Sequence, residues 1–272
     1  MGSVFGSVAG GSIRAFDKDV VLWRDAVVAN GGSVSLDRLI IVDQFVFSEK
    51  DAGLWGLTDD YWGFWAENAI QALTSLKQRR LATAVNVPTF TANRDYTTNG
   101  TTSYVNLVFV PSTNALSMTT DSVHAEIYER TNVTASASAM GASSGSNRSI
   151  NLGPRIGGNA VGGGNSADGT FTLPAADSRG LTQLGRNGAL TTNAYGAKNG
   201  VDMTRTVTPA AVGASLSAHA IFVGALNNAG TPIGFRASSY GYASAGAALS
   251  GAQRLARYTN VQAWATSVGA NV

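Results

Sequence analysis

The chain of 272 residues has no cysteine, which excludes a disulfide framework, thiolate metal sites and a cysteine nucleophile. Charged residues make up 13% of the chain, about half the usual share of a soluble domain. The net charge of +2 gives no field that would steer a nucleic acid. No apolar run approaches the roughly 20 residues of a membrane-spanning helix. We therefore expect no nucleic-acid partner and no membrane insertion.

The first residues, "MGSVFGSVAGGSIRAFDKDV", contain no basic segment followed by an apolar one, so the sequence predicts no signal peptide. Residues 1–15 form a Gly/Ser-rich arm that is expected to be flexible or held by a partner. The share usually held by charged residues is taken by glycine, of which there are 32, and by Ala, Ser, Thr and Asn. Such a nearly neutral surface is typical of proteins exposed to variable surroundings, or of proteins that contact sugars.

Three helices are predicted in the first 84 residues. The first has Asp17 as its N-cap and ends at the glycines of residues 30–32. The second begins after Ser33 or Ser35 and ends near Gly53. The third is predicted from about Asp59 to Leu81, because apolar residues recur there at helical spacing. Its apolar side consists of Trp62, Ala66, Ala69, Leu73 and Leu76.

After Pro88 the pattern changes to short strand-like runs separated by Gly, Asn, Ser and Pro. In the run from Ser103 to Val110, alternate residues point to one side if the chain is extended. "SVHAEIYER", residues 122–130, alternates in the same way. Asn199-Gly200 is the strongest hairpin signal, because a type I′ turn needs positive φ at both central residues. Many short strands with such turns predict an antiparallel sandwich.

Two further segments complete the prediction. Residues Met140 to Asp168 are rich in Gly, Ser and Asn, which fits either an exposed loop system or flat strands with small side chains. Both alternatives remain open from the sequence. A closing helix is predicted after Ser250, because Ser250 and Gln253 have the spacing of a capping box. Gly269 is its expected end.

The segment "TDDYWGFWAENAIQALTSLKQRRLATAVNVPTFTANRDYTTNGTTSYVNLVFVPST" resembles a recurrent segment of bacteriophage and prophage virion proteins. In those proteins a helical stretch leads into a concanavalin A-like, laminin-G-type jelly roll. The last residues, from Phe222 to Gly269, and the turn "KNGV" are similar to the final strands, closing helix and hairpin of that jelly roll. The resemblance covers most of residues 17–272. The matching positions are Trp65–Asn68, Ala72-Leu73, Ser75–Arg79, Ala82–Asn86, Pro88–Thr91 and Ser103–Pro111.

The resemblance implies a mainly β fold: a concanavalin A-like jelly-roll sandwich with an N-terminal helical module and a C-terminal helix. It divides the chain into an arm and adaptor module, residues 1–84, and a jelly-roll domain, residues 85–272. It implies a virion structural protein (a head spike, decoration protein or tail fibre), assembled in the bacterial cytoplasm and exposed on the particle surface. The N-terminal module would bind other virion proteins, and the jelly roll would bind host cell-surface polysaccharide.

The resemblance also implies a homo-oligomer. Two other functions stay open: a purely structural virion component without a ligand, and a polysaccharide depolymerase. Fold-level resemblance does not choose among them, because one fold carries many functions.

No catalytic motif is visible, and we predict that the chain is not an enzyme. The two histidines, His124 and His219, each fall inside an apparent strand. Glu126 and Glu129 are three residues apart and would point to opposite faces of a strand, which does not fit a glycosidase carboxylate pair. No cofactor is expected. Ca²⁺ is the open alternative, although the acidic residues are scattered, at Asp121, Asp168, Asp177 and Asp202.

Two groups of side chains are candidates for contacts. His124, Glu126 and Tyr128 share one strand face, and Tyr240 and Tyr242 share another, so these five are the predicted glycan-binding residues. The same His–Glu–Tyr row also fits a plain solvent face, and Tyr240 and Tyr242 fit core positions about as well as binding positions. Aromatic rings are common sugar contacts because they are flat and amphipathic. The second group is predicted to pack the helical module against the sheet: Trp55, Tyr61, Trp62, Phe64 and Trp65.

Overall fold

The computed structural model describes residues 5–6, 14–145, 149–172, 177–209 and 211–272. The helices are α1 (Lys18–Ala29), α2 (Leu36–Asp51), α3 (Ala69–Leu73), α4 (Pro111–Asn114) and α5 (Gly251–Ser267), with a 3₁₀ turn at Thr191–Asn193. The strands are β1 (Phe5–Gly6), β2 (Arg14–Ala15), β3 (Thr58–Gly63), β4 (Thr83–Val85), β5 (Thr89–Thr91), β6 (Asp95–Thr97), β7 (Tyr104–Asn106), β8 (Ser122–Glu129), β9 (Met140–Ser143), β10 (Ser149–Ile156), β11 (Asn159–Gly164), β12 (Gly169–Thr172), β13 (Gly180–Asn187), β14 (Ala194–Lys198), β15 (Val201–Asp202), β16 (Thr204–Val207), β17 (Phe222–Val223), β18 (Leu226–Asn228), β19 (Thr231–Ile233) and β20 (Ser239–Gly246).

Two sheets pack face to face as a sandwich. Sheet I has the order β15-β14-β13-β8-β20-β6-β5, with β3 also paired to β20. Sheet II has the order β16-β12-β11-β10-β9-β17-β7-β4, and the hairpin of β18 and β19 joins it through β9. Neighbouring strands run antiparallel, apart from the parallel pairing of β18 with β9. The mainly β sandwich with N-terminal helices and a C-terminal helix is therefore confirmed.

The core between the sheets follows the alternation in the sequence. Val105, Leu107 and Phe109 are fully buried in it, on the single side that the pattern of residues 103–110 predicts. From β8, alternate residues Val123 and Ile127 join them. Successive side chains of a strand point to opposite faces, so the intervening residues must find other surroundings.

The outward face of sheet I is covered by helices, which form a third layer. α2 and α5 contact each other, and α1 packs on α2. Their buried apolar side chains form one cluster with residues of sheet I, among them Val42, Phe45 and Trp264. Within the described residues, no helix combines the length and hydropathy needed to cross a membrane.

The ends of these three helices are those that the sequence predicts. The side chain of Asp17 accepts from the backbone N–H of Asp19 at the start of α1, and Ser35 caps α2. Ser250 and Gln253 form the predicted capping box of α5. Gly269 follows α5 with φ of +70°, a conformation that glycine adopts without steric strain.

The predicted third helix, from Asp59 to Leu81, is wrong. Residues Thr58–Gly63 are instead strand β3, antiparallel to β20, and helix remains at α3 alone. The carboxylate of Asp59 accepts backbone N–H groups of residues 116–118, and that of Asp60 accepts those of Lys77 and Gln78. Burial raises the pKa of Asp60 to about 6. Tertiary hydrogen bonds therefore override the helical spacing.

The predicted boundary between residues 84 and 85 falls inside β4, which pairs with β7. Trp62, Phe64 and Leu73 also lie in the core between the sheets. Among the described residues of 1–84, the separate two-stranded sheet of β1 and β2 and the pair of helices α1 and α2 lie outside both sheets of the sandwich. An adaptor role for that pair stays a prediction.

The segment from Met140 to Asp168 forms flat strands with small side chains, β9, β10 and β11, rather than a loop system; its residues 146–148 lie outside the described residues. A Cβ at Gly162 would lie 2.3 Å from Leu184 Cδ1 of the opposite sheet, so glycine permits close approach there. The Asn199-Gly200 hairpin is confirmed, with φ of 51° and 76°, between β14 and β15.

Candidate functional site

The five predicted glycan-binding residues are buried. His124, Glu126, Tyr128, Tyr240 and Tyr242 each have 0% exposed surface. A glycan in solution cannot contact them, so the structure corrects this prediction. The sequence could show which residues share a strand face, but not which face a helix covers.

His124, Glu126 and Tyr128 do project from one face of β8, and α5 lies over that face. Glu126 accepts from Gln183 Nε2 at 2.7 Å and from the guanidinium of Arg257. The Tyr128 hydroxyl donates to the side-chain oxygen of Gln262, on α5, at 3.1 Å. These partners account for the row as packing between sheet I and the helices.

Arg257 is the centre of a closed ionic network, which we call the Arg257 network. It bonds Glu49 of α2 at 2.9 Å, Glu126 of β8, and Thr58 Oγ1 at the start of β3 at 2.6 Å. Arg257, Glu49 and Glu126 all have fully buried side chains. The network therefore ties two helices to sheet I and offers no accessible chemistry.

The pKa values of the titratable groups in and beside this network are shifted in different directions. Burial raises the pKa of Glu49, opposed by the nearby guanidinium. Burial acts in the same direction on Glu126, but Arg257, His124 and hydrogen bonds outweigh it and hold the pKa of Glu126 below its usual value. Burial lowers the pKa of His124, which keeps its imidazole neutral at neutral pH. Arg257 forms an ion pair with each of the two carboxylates, and its charge lowers the pKa of each against the effect of burial.

Tyr240 and Tyr242 do not share a face, which is a second correction. Tyr240 pairs with Glu129 and Tyr242 with Tyr128, so the register shifts by one residue at Gly241. This β-bulge turns Tyr240 into the core between the sheets and Tyr242 towards the helices.

The second predicted group divides between the two cores. Tyr61 and Trp65 lie between the helices and sheet I, where Trp65 stacks on Tyr242 at 6.0 Å between ring centroids. Half-buried Trp55 stacks on Tyr61 at 5.2 Å. Trp62 and Phe64 lie instead in the core between the sheets.

The face of the sandwich that lies away from α1, α2 and α5 is the outer face of sheet II. One register row crosses it: Thr83, Asn106, Phe222, Gly141, Asn151 and Gly163. The adjacent row points inward and is apolar: Ala84, Val105, Val223, Met140, Leu152 and Gly162. Alternation along each strand therefore places amide, aromatic and glycine positions on the outer face.

Aromatic rings occupy one part of this face. The rings of Tyr104 and Phe222 are 4.4 Å apart between centroids, and those of Tyr104 and Phe235 are 6.2 Å apart. Tyr104 and Phe235 are half-buried, while Phe222 lies beneath, 5% exposed. Half-exposed rings of this kind provide an apolar platform with a polar hydroxyl at its edge.

Polar groups lie two strands away on the same face, about 10 Å from Phe222 at ~4.8 Å per strand. Asn151 donates through Nδ2 to the exposed Asp168 at 3.1 Å. Its Oδ1 has no hydrogen-bond partner within the described residues. Asn151 is 5% exposed and this oxygen is buried, so Asp168 and the half-buried Asn106 are the polar members of this face that a ligand can reach.

We call Tyr104, Phe222, Phe235, Asn106, Asn151 and Asp168 the outer-face cluster. The sequence analysis did not select it, although the alternation of residues 103–110 already placed Asn106 opposite the inward residues. The register with β9 and β10 could not be derived from sequence. Across the described ranges, no group of three His, Cys, Asp or Glu side chains is close enough to hold a metal ion.

Comparison with known proteins finds similarity in structure alone. The chain matches no protein-family model, and no curated protein is significantly similar to it. Domain 4 of an extracellular arabinanase from Geobacillus stearothermophilus is similar over 73% of this chain and 97% of that domain, with 14% identity and a TM-score of 0.41. Trypanosoma rangeli sialidase is similar over 81% of this chain, with 10% identity and a TM-score of 0.48. Domains LG4-5 of the mouse laminin α1 chain are similar over 63% of this chain, with 16% identity and a TM-score of 0.28.

The two packed antiparallel sheets, the N-terminal helices and the C-terminal helix confirm the sandwich fold that the resemblance implies. The chain spans 39% of the sialidase and 43% of the laminin chain. Nothing in these comparisons indicates a phage origin. The prediction that the chain is not an enzyme is contradicted, because an arabinanase and a sialidase are among the similar structures. No reaction is carried over from them.

Proposed function

We propose that this protein is a surface component of a bacteriophage or phage-like particle that binds host cell-surface glycan through the outer-face cluster. The observation that carries the proposal is the cluster itself, which combines the half-exposed rings of Tyr104 and Phe235 with the half-buried Asn106 and the exposed Asp168 on the outer face of sheet II.

The chemistry of the cluster fits a glycan better than a charged ligand. Tyr104 and Phe235 can stack against the apolar face of a pyranose, while the half-buried Asn106 and the exposed Asp168 can hydrogen-bond its hydroxyls. A single carboxylate, Asp168, is the only charge in the cluster. A sugar keeps its hydroxyls hydrogen-bonded on such a surface without burying an unpaired charge.

The virion part of the proposal is supported by the sequence resemblance given above. It is also supported by the position of α1 and α2, on the side of the sandwich away from the outer-face cluster. Both helices expose apolar side chains, with Leu22, Val28 and Leu36 between 47% and 56% exposed. Attachment to other virion proteins or to sister subunits through these residues would leave the cluster facing outward.

A bacterial glycan array probed with the purified protein tests the binding proposal. We expect retention on one class of capsule or lipopolysaccharide glycan, and about a tenfold weaker affinity for Tyr104→Ala, equivalent to about 1.4 kcal/mol. The matched control is Leu255→Ala, which truncates a 53% exposed side chain on α5. Its affinity should equal that of the unchanged protein.

Two results would contradict binding through the cluster: an array without retention at high protein concentration, or equal retention by Tyr104→Ala. Release of shortened oligosaccharides during the incubation would show that the protein cleaves the glycan as well as binding it.

Immunogold electron microscopy tests the virion assignment separately. Particles purified from a lysate of the source bacterium should carry label on their surface if the protein is a spike, decoration protein or fibre. Label confined to unassembled material would remove the virion assignment and leave the glycan proposal to be judged on the array.

A further inference from the structure

The carboxylate of Asp168 lies over the outer face of sheet II. Asn151 donates through Nδ2 to Asp168 Oδ2 at 3.1 Å, and a Cβ at Gly163 would lie 3.3 Å from Asp168 Oδ1. Asn151 and Gly163 are directly paired in the outward row of β10 and β11. Because Asp168 is also exposed, its carboxylate can be reached by a ligand that binds this face.

The surroundings of this carboxylate contain oxygen atoms rather than a counter-charge. Partial burial raises the pKa of Asp168 and the hydrogen bond from Asn151 opposes that effect; no basic side chain of the described residues contributes. The carbonyl oxygens of Ser166 and Ser149 lie 2.6 Å and 3.2 Å from the same Cβ position at Gly163. Asp168 therefore adds an unbalanced negative charge to a place already lined with acceptors.

The strand positions around Asp168 are uncharged. The outward row described above consists of Thr, Asn, Phe and Gly residues. Further outward positions, on β4, β7, β9, β10 and β11, form uncharged pairs with one another: Val85 with Tyr104, Ser143 with Ser149, and Gly153 with Val161. Asp168 is therefore the only charged residue among these positions and the outer-face cluster.

This charge distribution distinguishes between classes of glycan. A sugar carboxylate beside Asp168 would lose hydration and meet a like charge, which disfavours binding. The ammonium group of an unacetylated amino sugar would instead donate a charge-assisted hydrogen bond to Asp168, which is stronger than a bond between neutral groups. A neutral N-acetylated sugar has neither the penalty nor the gain.

We propose that Asp168 makes the outer-face cluster selective for glycans with free amino groups and against glycans with carboxylates. This inference rests on the proposed function, because it assigns a specificity to the same site. Asp168 is then the residue that determines specificity, while the rings of Tyr104 and Phe235 supply stacking that all three classes of sugar can use.

Three oligosaccharides with one backbone and one length test the proposal. They are a chitosan oligosaccharide, its N-acetylated form and its N-succinylated form, which are cationic, neutral and anionic in mildly acidic buffer. Isothermal titration calorimetry measures the affinity of the full chain for each. We expect the affinity to fall about tenfold from the cationic to the neutral form, and about tenfold again to the anionic form.

Two variants with the same change in net charge separate a local effect from a general one. Asp168→Asn keeps the size of the side chain and should bind the three forms with affinities within about threefold of each other. Asp51→Asn removes an exposed carboxylate at the end of α2, on the helical side, and should keep the order of the unchanged protein. Added salt should weaken binding of the cationic form by the unchanged protein, but not by Asp168→Asn, because salt screens exposed charges.

Two results would overturn the proposal: an equal or reversed order of affinities in the unchanged protein, or the same order in Asp168→Asn. Either result, together with retention of a glycan on the array, would leave the proposed function in place and remove only the specificity. An array without retention, together with no binding of the three oligosaccharides, would remove the proposed function and this inference together.

Discussion

Replacing Arg257 by methionine is expected to lower the free energy of unfolding by about 3–5 kcal/mol, because it leaves Glu49 and Glu126 buried without their counter-charge. The guanidinium also bonds Thr58 and Tyr242, so its removal leaves further buried oxygens without a donor. Urea unfolding followed by circular dichroism measures the loss.

Two comparisons make this expectation specific to the Arg257 network. Asp177→Asn removes the ion pair of Asp177 with Arg179, whose side chains are 31% and 49% exposed, and should change stability by about 1 kcal/mol or less. The triple variant Glu49→Gln, Glu126→Gln, Arg257→Met should recover much of the loss, because no unpaired charge is then buried. Two results would contradict this explanation: a decrease in the free energy of unfolding below about 1 kcal/mol for Arg257→Met, or no recovery of stability in the triple variant. Either would show that unpaired buried charge does not cause the instability.

Local signals in the sequence were sufficient for the helix ends and the hairpin turn. Asp17, Ser35 and Ser250 are capping residues whose hydrogen bonds reach two or three residues along the chain. Asn199-Gly200 determines a turn by its own backbone preference. The predictions that failed depend on contacts between distant residues. Strand β3 exists because β20 pairs with it and because loops far along the chain satisfy Asp59 and Asp60.

The candidate site illustrates the same limit. The alternation of β8 correctly groups His124, Glu126 and Tyr128, but a strand has two faces, and the sequence does not state that α5 covers this one. The bulge at Gly241 is invisible in the sequence, because it depends on how β20 pairs with β8. The outer-face cluster joins residues from β7, β17 and β10, so it becomes visible only when the strand order of sheet II is known.

Replacing Trp264 by alanine is expected to lower the free energy of unfolding by about 3–5 kcal/mol, the range for removing a large buried aromatic side chain. Its ring is 5% exposed and lies 4.5 Å from Phe45 and 5.5 Å from Trp65 between centroids. A Cβ at Gly63 would meet this ring at 2.4 Å, so α5 fits closely against β3. Trp55→Ala, which truncates a half-buried ring at the edge of the same layer, should have a clearly smaller effect.

The same variant connects stability with the proposed function. Trp264 lies on the helical side, and the outer-face cluster lies across both sheets from it. At a temperature where Trp264→Ala remains folded, its affinity for the retained glycan should therefore equal that of the unchanged protein, although its unfolding midpoint in urea is lower. A stability loss below about 1 kcal/mol would contradict the packing argument. A parallel loss of glycan affinity in the folded variant would instead place the binding surface on the helical side. In that case Tyr104→Ala, on the opposite side, should have no effect on affinity.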